Sequence, residues 1–378
     1  MHRTRLAAHP ARRARWRATG SVLVVLLAGI GCSASSSHQI AAPDSRLPSS
    51  ASSESTADAS LDPTATPVAA GMPSQADGHH AGRPSVSATA GSGGGAGTGG
   101  GAGSAGIAGC ALFPSDNPWR RNVSGDPVDP RSADWVASIG AGTHLHPDFG
   151  SDPSYGIPYV VVPAGQAKVP ITFTDYGDES DPGPYPVPAN APVEGGGDAH
   201  VLVASANCIL YELYGAKKTA TGWSAASGAV FNLKSDALRP DGWTSADAAG
   251  LPILPGLVRR DKIAAGHIDH ALRFTISKSQ KGFIHPATHA AGSSTDANVP
   301  PMGARFRLKA SFDLSPYHGA ALIILQALKT YGMFVADNGS NWYLSGTTDT
   351  GWNDDDLNQL KSIPGSVFEA VSSGPVLH

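Results

Sequence analysis

Long apolar runs are almost missing from this chain. The one clear run, Val22 to Ile30 within SVLVVLLAGIG, spans about ten residues, well under the roughly 20 that a membrane-crossing helix needs. No transmembrane span is therefore expected. Clustered positive charge is just as scarce: Arg3, Arg5, Arg12, Arg13, Arg15 and Arg17 precede that run, and no Lys/Arg cluster follows in a chain of net charge −4. A nucleic-acid partner needs a basic footprint and is excluded on this ground. The sequence also lacks a Walker loop, a dinucleotide fingerprint, paired CxxC motifs and any internal repeat. No cofactor is expected.

What is present at the N-terminus reads as an export signal over residues 1–32, basic residues leading into a short apolar segment. The stretch LLAGIGC is similar to a bacterial lipoprotein signal, in which the cysteine, here Cys32, is lipidated, although Gly29 stands where such signals usually carry Leu. Plain secretion, with Cys32 inside a discarded peptide, is the alternative. The expected location is the cell envelope or the medium, with membrane contact only through that lipid. Residues 33–109 are Ser, Ala, Thr, Pro and Gly, closing in GSGGGAGTGGGAGSAGIAG. Such a composition cannot bury enough apolar surface to offset its chain entropy, and a disordered tether is expected. Only three cysteines occur. With Cys32 assigned to lipid, Cys110 and Cys208 form one disulfide in an exported domain, two unpaired thiols being the alternative.

Residues 110–378 are expected to form one globular domain. Short alternating or apolar runs recur there between Gly, Pro, Asn and Asp breaks: PYVVV, VPITFTDY, AHVLVA, CILYELY, GAVFNL, HALRFTIS, ARFRLKASF, MFVAD and NWYLS. These are strand signals, and the fold class they predict is mainly β, a jelly-roll-like β-sandwich with one or two short helices near the C-terminus. One helix is expected over Ala320 to Tyr331 with Gly332 as its stop, and another from about Asp354 to before Pro364. MFVADNGSNWYLS reads as a hairpin turning at Asn338-Gly339. DYGDESDPGPYPVP reads as a solvated, polyproline-like excursion.

The chemistry-bearing stretch is GGGDAHVLVASANCILYELYG, Gly195 to Gly215. A hairpin looping at Ser205-Ala206-Asn207 sets His200 opposite Glu212, Asp198 opposite Tyr214 and Leu202 opposite Leu210, all on one face. Val201, Val203, Ile209, Tyr211 and Leu213 take the other face as core. Two carboxylates flanking one bond are what glycoside hydrolysis requires, and an imidazole beside a carboxylate tunes it. Glu212, Asp198, His200 and His270 are thus the candidate catalytic residues. Tyr214, Arg273, Arg305, Trp223 and Trp243 are candidate substrate contacts, the tryptophans as exposed rings for sugar stacking. A surface salt bridge is the alternative for the hairpin pair. His267 with His270, or His144 with His146, form no recognised zinc spacing, and no metal is expected. Thr244 and Asp247 resemble a helix-capping pair, Arg305 and Arg307 share a face opposite the core, and Asp337 serves equally as a turn cap or a chemical group.

The series DPGPYPVP, GGDAHVLV, CILYELY, LRPDGWTSADAAGLPILPGLVR, GHIDHALRFT, PPMGARFRLKASF and ALKTYGMFVADNGSNWYLSG resembles a group of exported microbial proteins, mostly without an assigned activity, across Cys110 to Val371. The resemblance implies one complete domain and, through the Asp-x-His, the following Glu and the His270-Ala271 pair, a site at Asp198, His200, Glu212 and His270. The expected function is an exported carbohydrate-active enzyme, a glycoside hydrolase whose partner is a polysaccharide or oligosaccharide. A polysaccharide lyase, a non-catalytic glycan-binding envelope lipoprotein and a metal-dependent hydrolase of another substrate are the alternatives.

Overall fold

A computed structural model describes residues 106–378. The export signal, Cys32 and nearly all of the tether lie outside the described residues. The last part of the tether does not: Ile107 and Cys110 exchange backbone hydrogen bonds of 2.9 and 2.8 Å, and Ile107 is buried in the main core. The Gly-rich composition hides one apolar anchor there.

The strands are short, as the breaks between them require. They begin with β1 (His146–Pro147), β2 (Tyr159–Val162), β3 (Ile171–Phe173), β4 (Val201–Ser205) and β5 (Ile209–Tyr214). β6 (Lys217–Lys218), β7 (Trp223–Ala225), β8 (Ser227–Asn232) and β9 (Leu272–Ile276) follow. The last are β10 (Arg305–Leu308), β11 (Met333–Asn338), β12 (Tyr343–Leu344) and β13 (Phe368–Val371). They form three sheets: β1-β12-β9-β11-β10-β13, β2-β4-β5-β8 and β3-β7-β6. The architecture is mainly β with mixed sheets, one curled into a half-barrel, and a few short helices.

Four α-helices occur among the described residues: α1 (Ser132–Ile139), α2 (Arg260–Ala264), α3 (Gly319–Thr330) and α4 (Asp354–Asn358). The last two sit where the sequence predicts them. Gly332 stops α3 at φ +66°, and a Cβ there would lie 2.3 Å from Phe306 O, so only glycine fits. Asn353 caps α4 by accepting from Asp355 N–H at 3.1 Å. α1 and α2 are additional to the expected pair, the first burying Trp135, Val136 and Ile139 on one stripe. No helix among the described residues is long and apolar enough to cross a membrane.

The main core centres on Trp342, which stacks on Phe274 at 5.4 Å and on Phe368 at 5.2 Å and meets Phe306 edge-on at 5.7 Å. A second, smaller core lies under the four-stranded sheet, where Val201, Val203, Tyr211 and Leu213 pack with Tyr185 and Trp223. Both faces of β4 and β5 are therefore buried, one in each core. Tyr185 also corrects the reading of DPGPYPVP as a solvated excursion. Its ring is fully buried, its backbone bridges Val169, and nearby Asp181 pairs with Arg239. A large aromatic outweighs the prolines around it.

The expected hairpin at Asn338-Gly339 does not form. β11 and β12 both pair with β9, which lies between them, parallel to β11 and antiparallel to β12. A local turn signal is overridden by a strand that arrives from 60 residues upstream in the sequence.

Cys110 and Cys208 are joined, 98 residues apart, as the cysteine count predicts. Cys208 sits at φ +68° and ends the three-residue loop Ala206-Asn207-Cys208, so the bridge also fixes the left-handed residue of the β4–β5 turn. Replacing both cysteines with alanine is expected to lower unfolding free energy by about 2–5 kcal/mol, because a loop of this length loses much closure entropy when bridged. Equilibrium denaturation of the two proteins measures it, and superimposable curves would deny the bridge a structural role.

Candidate active site

Strand alternation on β9 sends Leu272, Phe274 and Ile276 into the main core and turns Arg273 and Thr275 to the opposite face. The Arg273 guanidinium is buried there and fully engaged. Its Nε donates to Asp247 Oδ2 at 3.2 Å, its Nη1 donates to Ser345 Oγ at 2.7 Å, and its Nη2 lies 3.7 Å from Asp337 Oδ2.

Asp337 reaches this face through a β-bulge. Val335 pairs with Phe274, but Asp337 rather than Ala336 pairs with Thr275. Without the extra residue Asp337 would oppose Ile276 and point into the apolar core. The bulge moves it to the side of Arg273. Ala336 is held in the bulge by its carbonyl, which accepts from Ala249 N–H at 3.0 Å.

Asp247 comes from the loop WTSADAAG, which its own hydroxyls organise. Ser245 Oγ donates to Leu251 O at 2.6 Å and accepts from Asp247 N–H at 2.9 Å, while Thr244 Oγ1 donates to Asp247 O at 3.2 Å. No helix starts there, so the capping reading gives way to an ion pair with Arg273. The other carboxylate oxygen, Asp247 Oδ1, is buried and has no hydrogen-bond partner. His200 locks the same loop: its Nε2 donates to Ala246 O at 3.0 Å, and its Nδ1 pairs with Glu194. Burial alone would lower its pKa, but the Glu194 carboxylate outweighs that and raises it. Both ring nitrogens face acceptors, which is the geometry of an imidazolium.

Two cavities meet at this cluster. The first, of about 430 Å3, is lined by Asp247, Tyr176, Tyr214, Ser227 and His289. The second, of about 370 Å3, is lined by Arg273, His200, Glu194, Asp148, Tyr155 and Tyr343. Asp198, Asp337 and Asn338 line both and form the waist between the two lobes. The walls come from the four-stranded sheet on one side and the six-stranded sheet on the other. Burial, and then the charge of Asp247, pushes the Asp337 carboxyl up to about 7, although Arg273, His200 and the Asn338 N–H pull it back. Burial raises Asp247 as well. Two carboxyls around one guanidinium are thus both raised above the ordinary carboxylate range.

Of the residues expected at the site, Asp198, His200, Tyr214 and Arg273 come together at this cleft. Glu212 does not line either lobe. It is 0% exposed, with Oε1 accepting from Ile253 N–H at 3.1 Å and Leu254 N–H at 2.9 Å, and Oε2 accepting from Ile253 N–H at 2.9 Å. Burial pushes its carboxyl up to about 7 against those donors and the charges of His200 and Arg273. The hairpin register differs from the expected one: the loop sits one residue later, Leu202 opposes Glu212 and Ala204 opposes Leu210. The face assignment survives, because opposed pairs shifted by two keep their side.

The remaining candidates lie elsewhere. His270 is buried with Nδ1 2.8 Å from Ala271 O and Nε2 unpartnered, and burial followed by the Arg259 charge drives its pKa down to about 3. Arg305 is buried rather than facing a ligand, donating to Tyr331 O, Pro118 O and Arg121 O. Arg307 is buried too, on Glu369 at 2.8 Å. Trp223, expected as an exposed ring, belongs to the smaller core, and Trp243 is half-buried with the Arg239 guanidinium 5.6 Å from its centroid. His146 stacks on Tyr343 at 4.2 Å, and His289 lines the first lobe with Nδ1 2.7 Å from Ala248 O. Among the described residues no group of three or more His, Cys, Asp or Glu is arranged to hold a metal ion. Glu194, Asp148, Tyr155 and Tyr176 join the site unforeseen. Only proximity to the Gly195–Gly197 loop could have flagged Glu194. No protein-family model, curated protein or solved structure gives a significant match to this chain.

The raised carboxyls carry a pH signature. Glu212 holds its proton better folded than unfolded, so its contribution to stability is complete below the unfolded value of about 4.3 and is lost as pH rises through about 7. Unfolding free energy is expected to fall by up to about 3 kcal/mol from this group between pH 5 and pH 8. Glu212→Gln should flatten that slope. Glu212→Ala, which strips the acceptor from Ile253 and Leu254, should cost roughly 2–5 kcal/mol. Denaturant titrations across pH test both, and an unchanged slope in the glutamine variant would contradict the protonated state.

Proposed function

We propose that this chain is an exported carbohydrate-active hydrolase, with Asp337 as general acid and Asp198 as the second carboxylate. The observation that carries the reading is the waist of the cleft. There a half-buried carboxyl that keeps its proton near neutral pH stands with an exposed carboxylate where two lobes meet. In glycoside hydrolysis one carboxylic acid protonates the leaving oxygen as the C1–O bond breaks. The other carboxylate either activates the attacking water or attacks C1 itself. Arg273 and Asp247 are positioning residues here, since they act through Asp337. The acid role moves from Glu212 to Asp337, because Glu212 commits both oxygens to backbone N–H groups away from the cleft. We read the two larger sheets as a sandwich that parts at the cleft. The disulfide fits an oxidising compartment, in keeping with the export signal.

A lyase is less well supported. It would need a free cation against a uronate, and Arg273 is already engaged by Asp247 and Ser345. A glycan-binding module without turnover remains the second reading, favoured by the exposed tyrosines at the cleft, Tyr155 and Tyr176.

The test is a product screen of the full chain on plant, fungal and bacterial polysaccharides, followed by mass spectrometry, beside Asp337→Asn and Asp198→Asn. Saturated oligosaccharides should appear, and each variant should release them at least about 100-fold more slowly. The rate should fall as pH rises above about 7, where Asp337 loses its proton. Unsaturated ends would move the assignment to a lyase, and undiminished release by Asp337→Asn would remove Asp337 from the role.

A further inference from the structure

The two lobes are not the end of the depression. A third cavity of about 340 Å3 lies beside α4, lined by His146, Phe149, Asp152, Tyr155 and Lys361. Tyr155 lines both this cavity and the second lobe. The wall between them is an aromatic stack, His146 on Tyr343, with ring planes 20° apart. Burial and then the Lys361 charge lower the His146 pKa against the opposing charge of Asp148.

Large apolar side chains that remain exposed include two aromatics, Tyr155 at 55% and Tyr176 at 43%. One stands between the second lobe and the third cavity, and the other in the first lobe, so the acidic waist lies between them. An exposed aromatic ring on a polar groove has no packing role and offers a flat apolar face beside hydrogen-bonding groups, which is what a pyranose ring takes.

The walls also carry a sign. Asp148, Glu194, Asp198, Asp247 and Asp337 line the lobes, while Arg273 and His200 are each already paired with a carboxylate. The unpartnered Oδ1 of buried Asp247, in the lining of the first lobe, is an acceptor without a donor. Such a groove repels a polyanion and accepts hydroxyl or ammonium donors.

We propose that the three cavities form one continuous groove for a glycan chain several rings long and free of acidic groups, with Tyr176 and Tyr155 as ring platforms on either side of the Asp198–Asp337 waist. The proposal rests on the hydrolase reading only for where the cleaved bond lies. The chain-binding itself stands on the platforms and the charge.

Affinity electrophoresis of the full chain tests it, in native gels containing hydroxyethylcellulose, arabinoxylan or galactomannan as neutral glycans, glycol chitosan as a cationic one, and polygalacturonate as the anionic control. Migration should be retarded in at least one neutral or cationic gel and not in polygalacturonate. Tyr155→Ala and Tyr176→Ala, which leave the net charge unchanged, should each weaken the retardation by about tenfold. Tyr155→Phe and Tyr176→Phe should largely keep it. Absence of retardation in every neutral and cationic gel, or retardation that both alanine variants retain, overturns the groove. Asp337→Asn separates the two readings. Retardation that persists in it, while the wild-type chain releases no product, leaves the groove standing and removes the hydrolase. Product release without retardation does the reverse.

Discussion

The site depends on a buried guanidinium. Taking Arg273 out of water costs several kcal/mol, and the chain recovers it only by bringing partners from three separate segments to one point. Asp247 arrives from the loop before GLP, Ser345 from the end of β12, and Asp337 from the bulge in β11. Each partner drags its own backbone with it. The loop carbonyls and N–H groups around Asp247 are then fixed by Ser245, and β12 is held against β9. Removing Asp247 takes away the nearest counter-ion of a buried cation and removing Ser345 leaves a buried N–H donor without its acceptor, so the cluster constrains the fold as well as the cleft.

Glu212 and His200 do the same for the hairpin. One ties β5 to the backbone of Ile253 and Leu254, the other ties the start of β4 to Ala246. Three ionisable side chains share one face of that hairpin for two reasons. Two of them fasten the sheet to loops that would otherwise bury backbone donors and acceptors without partners. The third, Asp198, lies beyond the last paired residues, where the chain emerges into the cleft. One pattern therefore serves two purposes, and alternation alone does not separate them.

That division explains how much of the molecule could be read in advance. Strands, α3 and the disulfide are local or countable features: period two, period 3.6 with a glycine stop, two cysteines left over. The hairpin register differs from the expected one because Cys208, not Asn207, takes the left-handed position, and a shift of two leaves each side chain on its expected face. Asp337 is ambiguous in the sequence because a bulge is a property of two strands, and β9 and β11 are far apart in sequence. Nothing in the sequence marks Trp223 and Arg305 as buried, because β7 and β10 are too short for alternation to tell the core face from the other. The exposed Tyr155 and Tyr176 stand on irregular segments, where no periodicity marks orientation at all.

The hydrolase reading proposed above rests on the charges of the cleft. Cleavage of a glycosidic bond by water passes through a transition state with positive charge spread over the ring, and fixed carboxylates around it are stabilising in a site that excludes water. Elimination from a uronate builds negative charge instead and needs an uncommitted cation. Asp148, Glu194 and Asp198 line the second lobe, whereas the Arg273 guanidinium there has Asp247 against its Nε and Asp337 near its Nη2. Neutralising Arg273 in this way does more than stabilise a buried ion. Burial and the charge of Asp247 then outweigh the pull of that cation and hold the Asp337 carboxyl at about 7, the condition under which a group near neutral pH can both hold a proton and give it up.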